Sequence, residues 1–181
     1  MPAKKTIYTI GHSTHAMEDF IRMLQAFDIE VLVDIRRFPG SRNYPAYNKE
    51  SLAISLDKEG IRYIHLQELG GRRPVQPGSK NTRWRNKSFQ GYADYMERVP
   101  FQKAIRQLEG IAAEQITVYM CSEAVWWRCH RSMVSDYLKA KGWTVLHILS
   151  ANKADEHPYT APAQIANGQV SYKEKNLFSE E

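Results

Sequence analysis

The sequence predicts an α/β fold with a mostly parallel sheet of about five strands, helices on both faces and a C-terminal β-hairpin. Short strand-like runs alternate with amphipathic helical segments up to residue 150, which is typical of a parallel sheet. Residues 30–35 are almost continuously apolar, as in a strand buried on both faces. The pair Asn167-Gly168 separates two short strands, a strong hairpin signal. We expect one domain over residues 1–181, with 150–181 as a C-terminal extension.

The first half of the chain predicts three strands and two helices. The predicted strands are residues 6–10, 30–35 and 61–66. Between the first two strands, apolar residues recur at helical spacing from Met17 to Phe27. Asn48 is a suitable N-cap for a second helix, which Gly60 would end.

The second half predicts two more strands, at residues 115–119 and 143–149. Pro100 begins an amphipathic helix that extends to Ala112, and residues 133–138 have the spacing of another helix. Residues 72–95 mix basic and aromatic side chains without clear periodicity before Tyr92, which favours a functional loop or lid over a regular element.

Positive charge is concentrated in two segments. The chain has a net charge of +5, yet residues 35–49 and 69–93 carry ten basic side chains and no acidic one, so the rest sums to −5. A local positive field attracts anionic ligands. Arginine interleaved with aromatic rings is also a common way to hold nucleotides and single strands. The alternative is a solvated basic loop.

Composition excludes several classes of protein. No apolar run approaches the roughly 20 residues that span a membrane. Two cysteines do not form a disulfide framework, and the first residues lack the apolar stretch of a signal peptide. We therefore expect a reduced, cytoplasmic protein without a membrane partner.

Polar clusters follow each of the first four predicted strands. They are Gly11-His12-Ser13, Asp34-Ile35-Arg36-Arg37, His65 with the later Gly70-Gly71-Arg72-Arg73, and Cys121-Ser122-Glu123. Parallel strands end at one edge of the sheet, so these clusters should meet there. The sequence thus predicts a site at that edge.

The loop after the fourth strand is the densest cluster. Cys121 is interpreted as a nucleophile or as a small buried residue, and Glu123 as a general acid or base or as the partner of an arginine. A phosphate-cradling Cys-x5-Arg loop would need arginine at position 127, which is Trp127. That mechanism is therefore not expected.

The remaining candidates divide into catalytic and anion-binding groups. His12 is a catalytic candidate or a capping histidine, and Asp34 is a base or holds Arg36 in place. His15, His147 and His157 are expected to be structural or exposed. The anion-binding candidates are Arg36, Arg37, Arg72, Arg73, Trp84, Arg128, His130 and Arg131.

No cofactor is predicted. Cys121, Cys129, His130 and His12 are the right residue types for zinc, but their spacing is not a known zinc pattern, so zinc is the weaker alternative. A redox pair of Cys121 and Cys129 is weaker still, because the spacing is not Cys-x-x-Cys.

Five linked motifs together resemble one protein family. They are Gly-His-Ser-Thr-His, Asp-Ile-Arg-Arg-Phe-Pro-Gly, His-Leu-Gln-Glu-Leu-Gly-Gly-Arg-Arg, Trp-Arg-Asn-Lys-Ser-Phe-Gln-Gly-Tyr and Met-Cys-Ser-Glu-Ala with the later Arg-Cys-His-Arg. The chain is similar to the prokaryotic family known as domain of unknown function 488, over roughly residues 6–172. The resemblance implies a cytoplasmic α/β protein whose motif residues form a site, and it implies no particular reaction.

Two functional hypotheses follow. The first is an enzyme that acts on a phosphate-bearing substrate, a nucleotide or a nucleic acid. The second is a non-catalytic nucleic-acid-binding module with structural cysteines. A binding module should lose affinity with salt and tolerate Cys121→Ala and Glu123→Gln, whereas an enzyme should lose turnover.

Overall fold

Six strands form the central sheet of the computed structural model, which describes residues 5–174. Segments 1–4 and 175–181, including the end of the predicted extension, lie outside the described residues. The strands are β1 (Thr6–Gly11), β2 (Val31–Asp34), β3 (Arg62–His65), β4 (Thr117–Cys121), β5 (Thr144–Ser150) and β6 (Lys153–Glu156). Their order is β3-β2-β4-β1-β5-β6, with the first five parallel and β6 antiparallel to β5.

Five α-helices connect these strands. They are α1 (Met17–Ala26), α2 (Lys49–Asp57), α3 (Lys87–Met96), α4 (Val99–Glu114) and α5 (Arg131–Ala140). A separate hairpin of β7 (Gln164–Ala166) and β8 (Gln169–Ser171) follows the sheet. At its turn Asn167 and Gly168 have φ of 54° and 72°, as the predicted tight turn requires. The predicted fold class is confirmed.

The sheet separates two apolar cores. Successive side chains of a strand point to opposite faces, so Leu32 packs with α1 and α2, while Val31 and Val33 pack with α3, α4 and α5. Both faces of β2 and β4 are buried, which explains their continuous apolar sequence. The predicted helices on both faces are thus present.

The strand order places a crevice between β1 and β4. The chain leaves β1 toward α1 on one face of the sheet and leaves β4 toward α5 on the other. Neighbouring parallel strands whose connections diverge in this way form the usual ligand crevice of an open α/β sheet. The fold therefore places the loops after β1 and β4 around one opening.

Two elements differ from the sequence-based expectation. Helix α3 occupies part of the segment expected to be a loop, and it buries polar Gln90 and Asp94, which obscures an apolar period. Strand β6 has the sequence Lys-Ala-Asp-Glu, which has little strand propensity, and it forms because it pairs with β5. Within residues 5–174, none of the helices has the length and apolar character needed to cross a membrane.

Candidate functional site

The loops that follow β1 and β4 run side by side past the ends of their strands. Gly11 pairs with Cys121 in the sheet, and the next residue, His12, donates its backbone N–H to the Cys121 carbonyl at 3.0 Å. A Cβ atom at Gly11 would lie 1.6 Å from the Glu123 carbonyl oxygen. Only glycine therefore allows the loop after β4 to cross over the end of β1.

A cavity of about 670 Å³ lies at this edge of the sheet. Its volume is that of a small-molecule site. The wall combines the segments that follow β1, β2, β3 and β4 with one side of α3. The expected site residues that line it are His12, Arg36, Arg37, Arg72, Cys121, Glu123, Arg128 and His130, together with Cys129.

Asp34 lies beneath the cavity and is fully buried. One carboxylate oxygen accepts from Arg36 Nε at 2.9 Å, and the other accepts from Arg36 Nη2 at 2.8 Å and from the Tyr63 hydroxyl at 2.6 Å. Of its two expected roles, the structure supports holding Arg36. Both oxygens already have hydrogen-bond partners, and Asp34 is absent from the cavity wall.

His12 is a neutral hydrogen-bond acceptor in the cavity wall. Its Nδ1 donates to the Ser13 carbonyl at 3.0 Å, so Nε2 carries the lone pair, 3.4 Å from Arg36 Nη1. Burial is the main cause that lowers the pKa of His12 to about 4. The ring is also stacked on Tyr47. His12 therefore helps to orient Arg36 and is poorly suited to carry a proton at neutral pH.

Three expected anion-binding residues do not line the cavity. Arg73 packs its guanidinium over the Tyr95 ring at 3.8 Å. Trp84 packs edge-on against Phe89, with the ring centroids 4.9 Å apart. Arg131 is 1% exposed. Arg73 and Trp84 pack against α3, and Arg131 is buried within α5, so none of the three faces the cavity.

Arg131 instead supports the loop after β4 from below. Its Nη2 donates to the Glu123 carbonyl at 3.0 Å, and its Nη1 donates to Thr9 Oγ1 at 2.9 Å. Neither partner is an anion. A buried positive charge therefore lies directly beneath the loop after β4.

The two cysteine thiols differ in how readily they ionise. Cys129 is 8% exposed and precedes α5, where its sulfur accepts the backbone N–H of Arg131 at 3.5 Å. Burial opposes its ionisation, but hydrogen bonds from Cys121 and Arg131 and the Arg131 charge outweigh burial and lower the pKa of Cys129. Burial and the neighbouring Cys129 raise the pKa of Cys121 well above its usual value. Of the two thiols, Cys129 is therefore the one that ionises more readily.

His130 adjoins the Cys129 thiol. Its Nε2 donates to the Ile35 carbonyl at 2.9 Å, which leaves Nδ1 as the acceptor, 3.3 Å from the Cys129 sulfur. A thiol beside an imidazole that a third group orients is the arrangement of an activated nucleophile. Burial lowers the pKa of His130, so the ring is a neutral base at pH 7.

Cations dominate the wall around these groups. Arg72 and Arg128 are exposed and form no ion pair within residues 5–174. Arg37 donates to the Arg72 carbonyl at 2.8 Å and lies over the Phe38 ring. Glu123 contributes the single carboxylate among the lining residues, and its side chain is exposed. The cavity is therefore suited to an anion.

The residues of the zinc alternative do not form a metal site. In the described part of the chain, no three His, Cys, Asp or Glu side chains are grouped so that they could hold a metal ion. The two thiols interact with each other, and His12 and His130 are each committed to other partners. Cys121, Cys129, His130 and His12 are therefore not arranged as a shared ligand set in this structure.

Several cavity residues were not expected from the sequence. From the sequence, Cys129 is a candidate only for a zinc ligand or a redox pair. Its position next to His130 at the start of a helix is a feature that could have indicated an ionisable thiol. Phe38 and Tyr44 line the cavity with 61% and 39% of their surface exposed. They lie in an irregular segment, where no periodicity indicates the direction of a side chain.

Comparison with known proteins identifies a family and no individual relative. No curated protein and no solved structure matches the chain. The model of the family described as Domain of unknown function DUF488 matches residues 16–138, about two thirds of the sequence. That range includes β2 to β4 and the cavity residues from Arg36 to His130. The chain belongs to the DUF488 family.

Proposed function

We propose that this protein is an enzyme that acts on a phosphate-bearing substrate, a nucleotide or a nucleic acid, with Cys129 as its nucleophile. One observation carries the proposal. An ionisable thiol, an oriented imidazole and unpaired arginines share the wall of a single cavity. Anion-binding groups alone would suit a binding module, and the added thiol–imidazole pair favours catalysis.

The arginines support the phosphate part of the proposal. Asp34 neutralises Arg36, whereas Arg72 and Arg128 have no carboxylate partner among the described residues. The planar guanidinium fork matches phosphate oxygens in two-point hydrogen bonds. A phosphate held by these residues would lie close to the thiols that line the same wall.

Exposed aromatic rings support the nucleobase part. Phe38 and Tyr44 lie in the cavity wall beside Arg37, whose guanidinium is 5.3 Å from the centre of the Phe38 ring. Rings of this kind stack with bases whatever the base is. They take over the role that the sequence had suggested for Trp84.

The proposed chemistry needs no redox partner. The Cys129 sulfur attacks phosphorus, so that an S–P bond forms and the P–O bond to the leaving group breaks. His130 Nδ1 takes the thiol proton and gives it to the leaving oxygen. Water then attacks phosphorus, which breaks the S–P bond and restores the thiol. Glu123, the one carboxylate among the lining residues of the cavity, would assist that water.

The first test combines binding and turnover. Wild-type protein and the variants Cys129→Ser and Arg128→Gln would be assayed with nucleoside monophosphates, bis-p-nitrophenyl phosphate and single-stranded oligonucleotides. We expect Cys129→Ser to lose at least about 100-fold in turnover with affinity nearly unchanged. Arg128→Gln should weaken binding by roughly tenfold, because it removes a charge-assisted contact. Arg106→Gln, an exposed change on α4, is the matched control.

Two results would contradict the proposal. Undiminished turnover by Cys129→Ala would exclude the thiol as the nucleophile. Binding of oligonucleotides with strong salt dependence, but no turnover of any substrate by the wild type, would favour the non-catalytic nucleic-acid-binding module.

A further inference from the structure

A chain of buried hydrogen bonds leads from α5 to the core side of β1. Asp136 Oδ1 and His157 Nε2 are 2.8 Å apart, His157 Nδ1 and His147 Nε2 are 2.8 Å apart, and His147 Nδ1 lies 2.5 Å from Thr9 Oγ1. All four residues are buried, with at most 1% of their surface exposed. Burying these polar groups away from water is costly unless every donor and acceptor among them has a hydrogen-bond partner.

The hydrogen bonds form an unbroken series. The Asp136 carboxylate only accepts, so His157 donates to it from Nε2, and His157 Nδ1 and His147 Nε2 share the next hydrogen bond. His147 Nδ1 and the Thr9 hydroxyl share the third, and Thr9 Oγ1 accepts from Arg131 Nη1 at 2.9 Å. Burial lowers the pKa of His147 to about 2, which agrees with a neutral ring.

Asp136 is anchored at the far end by the C-terminal segment. Its second oxygen, Oδ2, accepts from the Tyr172 hydroxyl at 2.7 Å, and its first accepts the Thr160 backbone N–H at 2.9 Å. The Trp126 ring of the loop after β4 is stacked on His147 at 4.9 Å. These buried hydrogen bonds and the Trp126 ring therefore connect the C-terminal segment with the loop after β4.

Arg131 is at the near end and has an unusual environment for a buried cation. It contacts the carbonyl of Glu123 and the hydroxyl of Thr9, and its Nε has no hydrogen-bond partner within the described residues. A buried guanidinium without a carboxylate partner is unfavourable unless another negative charge lies nearby. The Cys129 thiol, whose sulfur accepts the Arg131 backbone N–H at 3.5 Å, can supply that charge when it ionises.

We propose that Thr9, His147, His157 and Asp136 are positioning residues that hold the Arg131 guanidinium under the loop after β4 and thereby favour ionisation of the Cys129 thiol, whose sulfur accepts the Arg131 backbone N–H at 3.5 Å. For convenience these four residues are called the buried relay. The inference rests on the proposed function for its purpose, since Cys129 is the nucleophile named there. Its test measures only thiol ionisation and needs no substrate, so the two proposals can fail separately.

Other groups around Cys129 are accounted for. Cys121 lies in β4 and donates its thiol to the Glu123 carbonyl at 3.8 Å, and the Glu123 carboxylate opposes ionisation of Cys129 from the loop. Tyr92 faces it from α3, with its hydroxyl donated to the Leu69 carbonyl and its pKa raised by burial. His130 is neutral. Arg131 is thus the cation that stabilises a Cys129 thiolate, and its placement is what the buried relay controls.

The experiment compares the pH dependence of Cys129 alkylation in folded variants. Iodoacetamide rates would be measured from pH 5 to 10, and tryptic cleavage after Arg128 places the two cysteines on separate peptides. His147→Phe interrupts the relay without changing net charge, because His147 is neutral. We expect the apparent pKa of Cys129 to rise by about one unit, a roughly tenfold lower rate at pH 7. His147→Gln, which can keep one hydrogen bond, should shift it less.

Tyr119→Phe is the matched control. It removes another buried hydrogen bond between β4 and α5, from the Tyr119 hydroxyl to Ser135, without touching the relay. Tyr119→Phe should leave the apparent pKa of Cys129, the midpoint of its alkylation rate against pH, unchanged even if the melting temperature falls. An unchanged midpoint in His147→Phe, with a raised midpoint in Arg131→Gln, would overturn the relay while leaving the role of Arg131. Unchanged midpoints in both variants would overturn the whole inference.

Discussion

At the scale of single residues, the chemistry of the cavity depends on how closely backbones approach. His130 can orient toward the Cys129 sulfur because Gly71 has no side chain: a Cβ atom there would lie 2.9 Å from His130 Nδ1. The sequence marked Gly70-Gly71 as part of a polar cluster, but it could not show which ring the glycine faces. That contact joins segments 59 residues apart.

Gly71→Ala is therefore expected to displace the His130 ring while the fold persists. Displacement by even about 1 Å should lower turnover by roughly tenfold to 100-fold, because proton transfer requires the thiol and Nδ1 in contact. The measurement is kcat on the best phosphate ester found, with the melting temperature recorded in parallel. Gly40→Ala is the control, since it lies in the same cavity wall and its Cβ would meet nothing within 4 Å. Equal kcat in both variants would contradict this role of His130.

At the scale of elements, the parallel strands were predictable and the basic segment was not. The apolar runs of β2 and β4 and the amphipathic period of α4 depend on local sequence, so pattern alone located them. Residues 72–86 depend on tertiary contacts. Asp94 of α3 accepts from the Gln76 backbone N–H, the Ser79 hydroxyl and the Asn81 amide, at 2.9, 2.6 and 2.7 Å. These hydrogen bonds hold residues 76–81 against α3, which the composition of the segment, predicted to be a functional loop or lid, does not show.

The same distinction applies to the candidate site. Four polar clusters were expected at one sheet edge because strand order does not alter which ends of parallel strands meet. Which cluster members face the cavity depends on loop paths, which local sequence does not show, and Asp34, Arg73, Trp84 and Arg131 are absent from its wall. The histidines of the buried relay, His147 and His157, were expected to be structural or exposed, since nothing in their local sequence indicates a shared partner.

At the scale of the whole molecule, buried neutral histidines couple stability to pH. His12 and His147 have folded pKa values of about 4 and about 2, below the usual 6.5 of an unfolded chain. The unfolded state therefore binds more protons than the folded state below pH 6.5. Stability is fully present above pH 6.5 and is lost as the pH falls toward those folded values.

Denaturant unfolding of the wild type and His147→Phe at pH 7, 6, 5 and 4.5 tests this coupling. The free energy of unfolding of the wild type should fall as the pH drops below 6.5. The variant should lose less with each pH unit, by up to about 1.4 kcal/mol, because one buried histidine no longer titrates on unfolding. Parallel pH profiles for the two proteins would contradict a neutral, buried His147.

The central claim is that this cavity holds an anion beside a reactive Cys129. Its most direct test is peptide-resolved alkylation of both thiols of the wild type from pH 5 to 10, with and without a bound nucleoside monophosphate. We predict that Cys129 reacts with a midpoint below the ordinary thiol value of about 8.5, that Cys121 reacts only well above it, and that the nucleotide protects Cys129. A lower midpoint for Cys121, or a Cys129 midpoint at or above the ordinary value, would contradict the account.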